Sequence, residues 1–151
     1  LSPSAALVFK PVPSVSVYAT WVEGLEEGGT APANTVNAFE VLPPAVSTQA
    51  ELGVKAEAWD AVVLTLAAFR IERPSTFRNG ENRFVMDGET VYRGVEFAAA
   101  GELTPEWSLV ASGLYLDAEQ RRAASAAFVG KRPENTPEWT GSLFAEYRPL
   151  D

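Results

Sequence analysis

The sequence predicts an all-β protein in which about seven long strands follow one another as an antiparallel, up-and-down meander. Apolar and polar residues alternate with a period of two over several stretches, which gives a strand one polar and one apolar face. Residues that favour turns, chiefly Gly, Pro and Asn, cluster between these stretches. The connections alternate in length, so short turns fall at one end of the sheet and long loops at the other, which is the layout of a segment of an outer-membrane β-barrel.

The clearest pair of strands lies between residues 47 and 74. In Gln49–Glu57 the apolar and polar positions separate completely onto two faces, and the polar face carries three ionisable groups, Glu51, Lys55 and Glu57. Trp59-Asp60 is the predicted turn, and Ala61–Glu72 returns as a second strand rich in Val and Leu. The apolar run from residue 61 to residue 69 is far shorter than the ~20 residues of a membrane helix, but it matches the ~9–11 residues of a membrane β-strand.

The remaining strands are assigned by the same alternation. They are Ser4–Lys10, Val15–Glu23, Glu89–Glu102, Trp107–Asp117 and Glu138–Arg148. Short turns are predicted at 11–14, 58–61 and 103–106, and long loops at 24–46, 73–88 and 118–137. Asn79-Gly80 is a favoured tight-turn pair within the second loop. In the third loop, good helix formers follow the N-cap candidate Asp117, so a turn or two of helix and a flexible Ala-rich loop are both open.

Composition excludes several classes of function. The net charge of −8 and the pI of about 4.6 argue against a nucleic-acid partner, which needs a basic surface. The chain has no Cys and no His, so neither a thiolate nor a histidine base is available, and no nucleophile–base pair can be assembled. We therefore expect no enzyme activity, no catalytic residue, no bound cofactor and no metal site. The start, residues 1–10, shows no signal peptide.

Two interpretations of the two-faced strands differ in what covers the apolar face. Trp and Tyr near strand ends are typical of the aromatic girdles of a membrane barrel, and four Trp occupy such positions, Trp21, Trp59, Trp107 and Trp139. Three long loops are also uncommon in a compact soluble domain. The alternative is a soluble antiparallel β-sheet that acts as a binding or adhesion module, with its apolar face buried against a partner sheet.

The chain also resembles the β-barrel of TonB-dependent outer-membrane receptors of the ferric-siderophore type. The resemblance extends over roughly residues 5–148 and is carried by short pieces in a consistent order. These pieces are Tyr18–Leu25, Val41–Pro44 with Gln49–Lys55, Ala67–Glu72, Arg93–Glu96, Leu116–Glu119, Gly130–Pro133 with Pro137, and Leu143–Tyr147.

This resemblance implies a location in the bacterial outer membrane, in contact with its lipid, and a ferric siderophore as the transported ligand. It also implies a barrel of about 22 strands around an N-terminal plug, coupled through its N-terminal part to the TonB complex. An odd count of seven strands differs from the even number of single-chain bacterial barrels. We therefore expect residues 1–151 to be part of the barrel domain, with the plug and the remaining strands outside it.

Candidate ligand-binding residues follow from the predicted loops, where exposed aromatic and cationic side chains often contact ligands. The aromatic candidates are Phe39, Phe77 and Phe128, and the cationic candidates are Arg78, Arg121, Arg122, Lys131 and Arg132. Glu23, Glu26 and Glu27 with Gly28-Gly29 could suggest a cation site, but their spacing favours a solvated acidic loop. Glu96 and Glu146, like the charges of the first hairpin, are interpreted as charges on a wet barrel interior rather than as catalytic acids.

Overall fold

The computed structural model describes residues 2–58 and 61–149, and these form one sheet of seven antiparallel strands. Each strand pairs with the next along the chain, so the predicted all-β meander is confirmed. The strands are β1 (Ser4–Val12), β2 (Val15–Glu26), β3 (Ala45–Ala58), β4 (Val62–Arg78), β5 (Phe84–Thr104), β6 (Trp107–Arg122) and β7 (Trp139–Tyr147). The predicted turn Trp59-Asp60, and with it the girdle position of Trp59, lies outside the described residues.

The registers determine which residues of neighbouring strands share a face of the sheet. Thr20, Glu51 and Phe69 face each other across β2, β3 and β4 on one surface, while Ala19, Leu52 and Ala68 do so on the opposite one. The second surface leaves large aliphatic side chains bare, with Leu52 60% exposed and Leu143 73% exposed. A single-layered sheet with such a face needs an apolar phase against it. This surface is called the outer face below, and the opposite one the inner face.

Two aromatic pairs mark the edges of the apolar band on the outer face. Trp107 on β6 packs on Tyr147 of β7 with ring centroids 4.9 Å apart, and Tyr115 packs on Trp139 with centroids 4.8 Å apart. The two pairs lie eight residues apart along β6, which is roughly 26 Å along a strand. At the usual strand tilt this is roughly 20 Å across a membrane, close to the height of an apolar band between aromatic girdles.

Beyond the second aromatic pair, the outer face becomes charged. Ion pairs replace aliphatic side chains there; they are Arg70–Glu72, Arg93–Asp117 and Arg121–Glu119. The strands β4, β5 and β6 contain 17, 21 and 16 residues, more than the ~9–11 that cross a bilayer. The wall therefore projects past the apolar band, and its projecting part has water on both faces. No helix in the described part of the chain is long and apolar enough to cross a membrane.

The predicted long loop at 73–88 is wrong. Strand β4 continues to Arg78 and β5 begins at Phe84, so the two are joined only by residues 79–83. Asn79 makes the predicted turn there, since its Oδ1 accepts the backbone N–H groups of Glu81 at 3.1 Å and Arg83 at 2.9 Å. Residues 73–88 show no alternation of apolar and polar side chains, because both faces of a strand that extends beyond the membrane are in water. Without that alternation, the sequence predicts a loop. Phe77 therefore lies on a strand.

The predicted third loop also begins too early. Strand β6 continues to Arg122, which pairs with Glu89 of β5, so Arg121 and Arg122 lie on a strand and the helix formers after Asp117 are extended. Pairing with β5 overrides their local helix preference. The helix in this loop is a single 3₁₀ turn at Ala126–Phe128, whose N-cap Ser125 accepts the N–H of Ala127 at 3.3 Å. The other predicted strand boundaries differ from the observed ones by a few residues.

Close packing around Gly94 on the inner face and open space at Gly113 on the outer face predict different effects of the same substitution. A Cβ added at Gly94 would lie 2.5 Å from the Phe69 ring and 2.7 Å from the carbonyl oxygen of Tyr115, while one added at Gly113 would meet nothing within 4 Å. We expect Gly94→Ala to lower the free energy of unfolding by about 1–3 kcal/mol through overpacking. Gly113→Ala serves as the matched control and should leave it nearly unchanged. Urea unfolding of the folded, full-length protein in lipid measures both, and equal losses would contradict the assignment.

The outer face predicts a strong difference between adjacent positions on β7. Leu143 lies midway between Trp139 and Tyr147 on the outer face, whereas Ser142 faces Ser112 on the inner one. At the middle of a bilayer an arginine costs about 2–4 kcal/mol. We therefore expect Leu143→Arg to lower the stability of the protein folded in lipid by this amount. Ser142→Arg should have a much smaller effect, and the reverse order would place the lipid on the other face.

Candidate functional site

The connection between β2 and β3, residues 27–44, is an ordered loop with its own hydrogen bonds. Its two arms are joined by an isolated bridge between Thr30 and Val41. The backbone N–H of Ala31 donates to the carbonyl of Glu40 at 2.8 Å, and that of Phe39 donates to the carbonyl of Ala31 at 2.9 Å. Ala31 is almost completely buried. These internal hydrogen bonds give the loop a defined fold, which lies over the end of the sheet that extends beyond the apolar band.

Asn37 fastens this loop to the start of β5. Its side-chain amide donates to the carbonyl of Phe84 at 2.9 Å, and its Oδ1 accepts the N–H of Phe84 at 2.9 Å. The Asn37 side chain therefore pairs with Phe84 as a neighbouring strand would. Asn37 is buried, and the N–H of Val36 beside it donates to the carbonyl of Asn82 at 3.0 Å. Because the buried polar groups are paired, this contact holds the loop against the β4–β5 hairpin.

Further polar contacts join the same loop to the tip of the hairpin. The Arg78 guanidinium donates to Oδ1 of Asn34 at 2.7 Å, and the Asn82 amide donates to the Asn34 carbonyl at 3.0 Å. Arg83 forms an ion pair with Glu40 at 2.8 Å. These contacts span more than 40 residues of sequence, so the hairpin that lengthens the wall is also the support of the loop.

A cavity of about 370 Å³ lies on the inner face, between the base of this loop and the ends of β4 and β5. Its floor is formed by inner-face strand residues and its roof by the start of the loop. The lining residues are Glu26, Glu27, Gly28, Gly29, Ala45, Arg73, Pro74, Ser75, Thr76, Met86, Thr90 and Tyr92. The volume is at the lower end of the range for small-molecule sites, so the cavity can hold one polar arm of a larger ligand.

Arg73 and Glu26 form the charged part of this cavity. The Arg73 Nε donates to both carboxylate oxygens of Glu26 at 3.0 Å, and Nη2 donates to Oε2 as well. The pair links β4 to β2 across β3, which is possible because the intervening β3 residues Ala45 and Ser47 are small. The hydrogen bonds from Arg73 hold the pKa of Glu26 below its usual value. Both residues lie several positions beyond the level of the Tyr115–Trp139 pair, so the ion pair is outside the apolar band.

The sequence-predicted aromatic residues occupy different places. Phe39 lies in the loop 27–44, is 73% exposed and has a φ of 65°, a left-handed conformation that costs free energy for a residue other than Gly or Asn. Phe77 is a half-buried residue of β4 beside Gly88. Phe128 is exposed on the 3₁₀ turn of the β6–β7 loop. Of the three, Phe39 and Phe128 are the ones whose rings are available to a ligand.

Four of the five predicted cations have partners within the protein. Arg78 supports the loop, and Arg121 pairs with Glu119 at 3.1 Å. Arg122 pairs with Glu89 at 2.8 Å, and Arg132, half-buried, donates to the carbonyl of Leu116 at 2.8 Å. Lys131 is exposed and has no carboxylate within 4.0 Å among residues 2–58 and 61–149. In this part of the chain the contacts do not join the five into one cationic cluster.

Sequence reasoning missed the residues that build the cavity and its roof. Arg73 was assigned to a loop, although it continues the inner-face positions of β4, Thr65, Ala67, Phe69 and Ile71, and this parity could have placed it. Glu26 was assigned to a solvated acidic loop, and its partner is 47 residues away. Nothing in the sequence marks Asn37, because its partner Phe84 is equally distant. Among the described residues, no group of three potential metal-ligating side chains is present.

Comparison with known proteins gives a consistent result. Residues 1–151 match the family model described as TonB dependent receptor-like, beta-barrel. The chain is 33% identical over 133 residues to the ferrichrome receptor FcuA of Yersinia enterocolitica, a match that covers 84% of the chain and 17% of FcuA. It is 27% identical over 167 residues to the probable TonB-dependent siderophore receptor PiuA of Acinetobacter baumannii, covering 97% of the chain and 22% of PiuA.

A solved structure agrees with these matches. The crystal structure of BauA, the ferric preacinetobactin receptor from Acinetobacter baumannii, has a TM-score of 0.84 and 34% sequence identity. This similarity covers 97% of the chain and 22% of BauA. The chain spans about a fifth of the length of the curated relatives it matches.

The Asn37 contact predicts how the loop depends on a single side chain. Asn37→Ala leaves the N–H and carbonyl of Phe84 without their partners, which costs about 1–3 kcal/mol locally. We expect amide hydrogen exchange in residues 27–44 of the full-length protein to become roughly tenfold faster or more, with the strands β2 and β4 unaffected. Phe39→Ala, two positions away and exposed, is the control and should leave the exchange unchanged. Equal protection in Asn37→Ala and the parent protein would show that the contact does not hold the loop.

Proposed function

The chain belongs to the TonB-dependent receptor-like β-barrel family, and from this premise we propose that it is part of a receptor that binds ferric siderophores and imports them. The strands form a section of the barrel wall in the outer membrane. The loops and the projecting strand ends form part of the surface that meets the ligand from outside. Residues 1–151 are assigned to the barrel domain only, and the plug and the remaining strands belong to the whole receptor.

One observation carries this proposal: the apolar outer face is bounded by aromatic pairs on both sides, and the wall continues beyond it to an anchored loop. Trp107–Tyr147 and Tyr115–Trp139 set the membrane edges, and Asn37 anchors the loop beyond them. A section of barrel wall with no role in recognition would need only the apolar band on its outer face. The projecting strands, the ordered loop and the cavity beneath it support a role in recognition.

The ligand class comes from the relatives. FcuA is named as a ferrichrome receptor and BauA as a ferric preacinetobactin receptor, so an iron complex of a small organic chelator is the cargo that we assign to this receptor. Among the sequence-predicted residues, Phe39, Phe128 and Lys131 are the best placed to contact it, because their side chains are exposed on the loops. Arg78 and Phe77 act indirectly, by shaping the hairpin that carries the loop.

Transport by the whole receptor requires parts beyond this chain. We assign the plug and the contact with the TonB complex to the N-terminal part of the whole protein, with energy supplied from the inner membrane. The family consists of transport receptors, and we expect no catalysis by this chain. The alternative of a soluble adhesion module is not favoured, because the matching family and the bare outer face both require a membrane.

Growth under iron limitation tests the function of the whole receptor. A strain that carries the complete gene as its sole siderophore receptor should grow on at least one ferric complex from a panel of hydroxamate, catecholate and carboxylate chelators. The same strain with the gene deleted should not. Uptake of radioactive iron from that complex, abolished by collapse of the membrane potential, identifies energy-coupled import. Failure to grow on any ferric complex, with the receptor present in the outer membrane, would overturn the proposal.

A further inference from the structure

We propose that the cavity beneath the loop 27–44 is a ligand subsite in which Arg73, oriented by Glu26, donates hydrogen bonds to an anionic oxygen of the ferric complex. The favoured ligands are therefore iron complexes that carry a free carboxylate or another exposed oxygen anion. This inference rests on the proposed function, because it concerns the same ligand, and it adds a residue and a charge class to it.

The geometry of the ion pair leaves part of the guanidinium available. Glu26 occupies the edge of Arg73 formed by Nε and Nη2. An arginine carries five N–H donors in a rigid fork, and Arg73 has no protein acceptor for Nη1 among the described residues. A carboxylate held on one edge of a guanidinium fixes the direction of the other edge. Glu26 is therefore a positioning residue, and Arg73 is the residue that contacts the ligand.

The surroundings of Arg73 suit a ligand arm. Met86, Pro74 and Tyr92 supply apolar contact area, while Thr90, Ser75 and Thr76 supply neutral polar groups. The exposed lining is mainly polar, which suits a charged arm of the ligand, and the apolar groups supply the smaller share of the contact area. The roof comes close because Gly28 lies against the carbonyl of Pro43, where a Cβ would collide. Gly29 adopts a φ of +80°, so the start of the loop can turn over the cavity.

The stability of the fold does not explain why Arg73 and Glu26 are paired. The Arg73 and Glu26 side chains are 55% and 39% exposed, and an exposed ion pair contributes little to stability. The sheet ladder already joins β2 to β4 through β3. A partly exposed arginine, held in one orientation at the wall of a cavity on the inner face, is better explained as a recognition group than as a brace.

The chain supplies a matched control on the same strand. Arg70 lies three residues before Arg73 on β4, is similarly exposed and pairs with Glu72, but it lies on the outer face. A change at Arg70 removes the same charge and the same kind of ion pair without touching the cavity. Arg73→Lys keeps the charge and removes the fork, which separates charge from geometry.

Binding by the full-length receptor in outer-membrane preparations tests the inference. The probes are ferric citrate, an anionic carboxylate complex, and ferrichrome, an uncharged hydroxamate complex. We expect Arg73→Gln to raise the Kd for ferric citrate by about tenfold to a hundredfold, since a charge-assisted hydrogen bond is lost. Arg73→Lys should have an intermediate effect, and Arg70→Gln should leave the Kd within about twofold, since an exposed pair contributes little.

Three results would overturn this inference. The first is an unchanged Kd for ferric citrate in Arg73→Gln, and the second is a receptor that binds ferrichrome but not ferric citrate. The third is an equal loss of both complexes together with faster hydrogen exchange in residues 27–44, which would make Arg73 a brace of the loop. Failure of the unaltered receptor to bind any ferric complex, by contrast, would overturn the proposed function itself and this inference with it.

Discussion

The pairing of the backbone's polar groups is the constraint on which the rest of this structure depends. In a hydrocarbon phase no water is available to an N–H or a carbonyl, so each must be paired within the protein. The meander pairs both edges of β2 to β6 with sequence neighbours, and it pairs one edge each of β1 and β7 within the described residues. Once the backbone hydrogen bonds between strands are formed, alternate side chains can face lipid on one side and water on the other. Leu52 and Leu143 then point to one phase, and Glu51 and Lys55 to the other.

The same ladder continues where the membrane no longer requires it. Beyond Tyr115 and Trp139 the outer face carries ion pairs such as Arg93–Asp117, and the strands extend into water. There the ladder has a different use, because it provides a rigid hairpin to which a loop can be fastened. The Asn37 side chain pairs with the Phe84 backbone as a neighbouring strand would. The loop 27–44 is therefore fixed to the β4–β5 hairpin. A rigid loop loses less conformational entropy when a ligand binds.

Small residues on the inner face determine which long side chains meet. Ala45 and Ser47 on β3 allow Arg73 to reach across an entire strand to Glu26, and Gly94 gives space to Phe69. Between strands of a single-layered sheet, this reach across a neighbour is how side chains that are distant in sequence form a site. The polar cavity beneath the loop is a consequence of this arrangement, since its charged floor comes from two strands that do not pair with each other.

The sequence by itself determined the class of the fold, the seven strands, the two faces and the family. Alternation of apolar and polar residues with a period of two is a local property, and it is present wherever one face of the sheet is in contact with the bilayer. It did not determine where β4, β5 and β6 end. Outside the bilayer both faces are wet, so Ser75 or Arg121 carries no sign of being in a strand, and the pairing partner decides. The sequence likewise did not determine the partners of Asn37 and Arg73, since each partner lies 47 residues away. The register of the sheet brings Arg73 to Glu26, and the fold of the loop 27–44 brings Asn37 to Phe84.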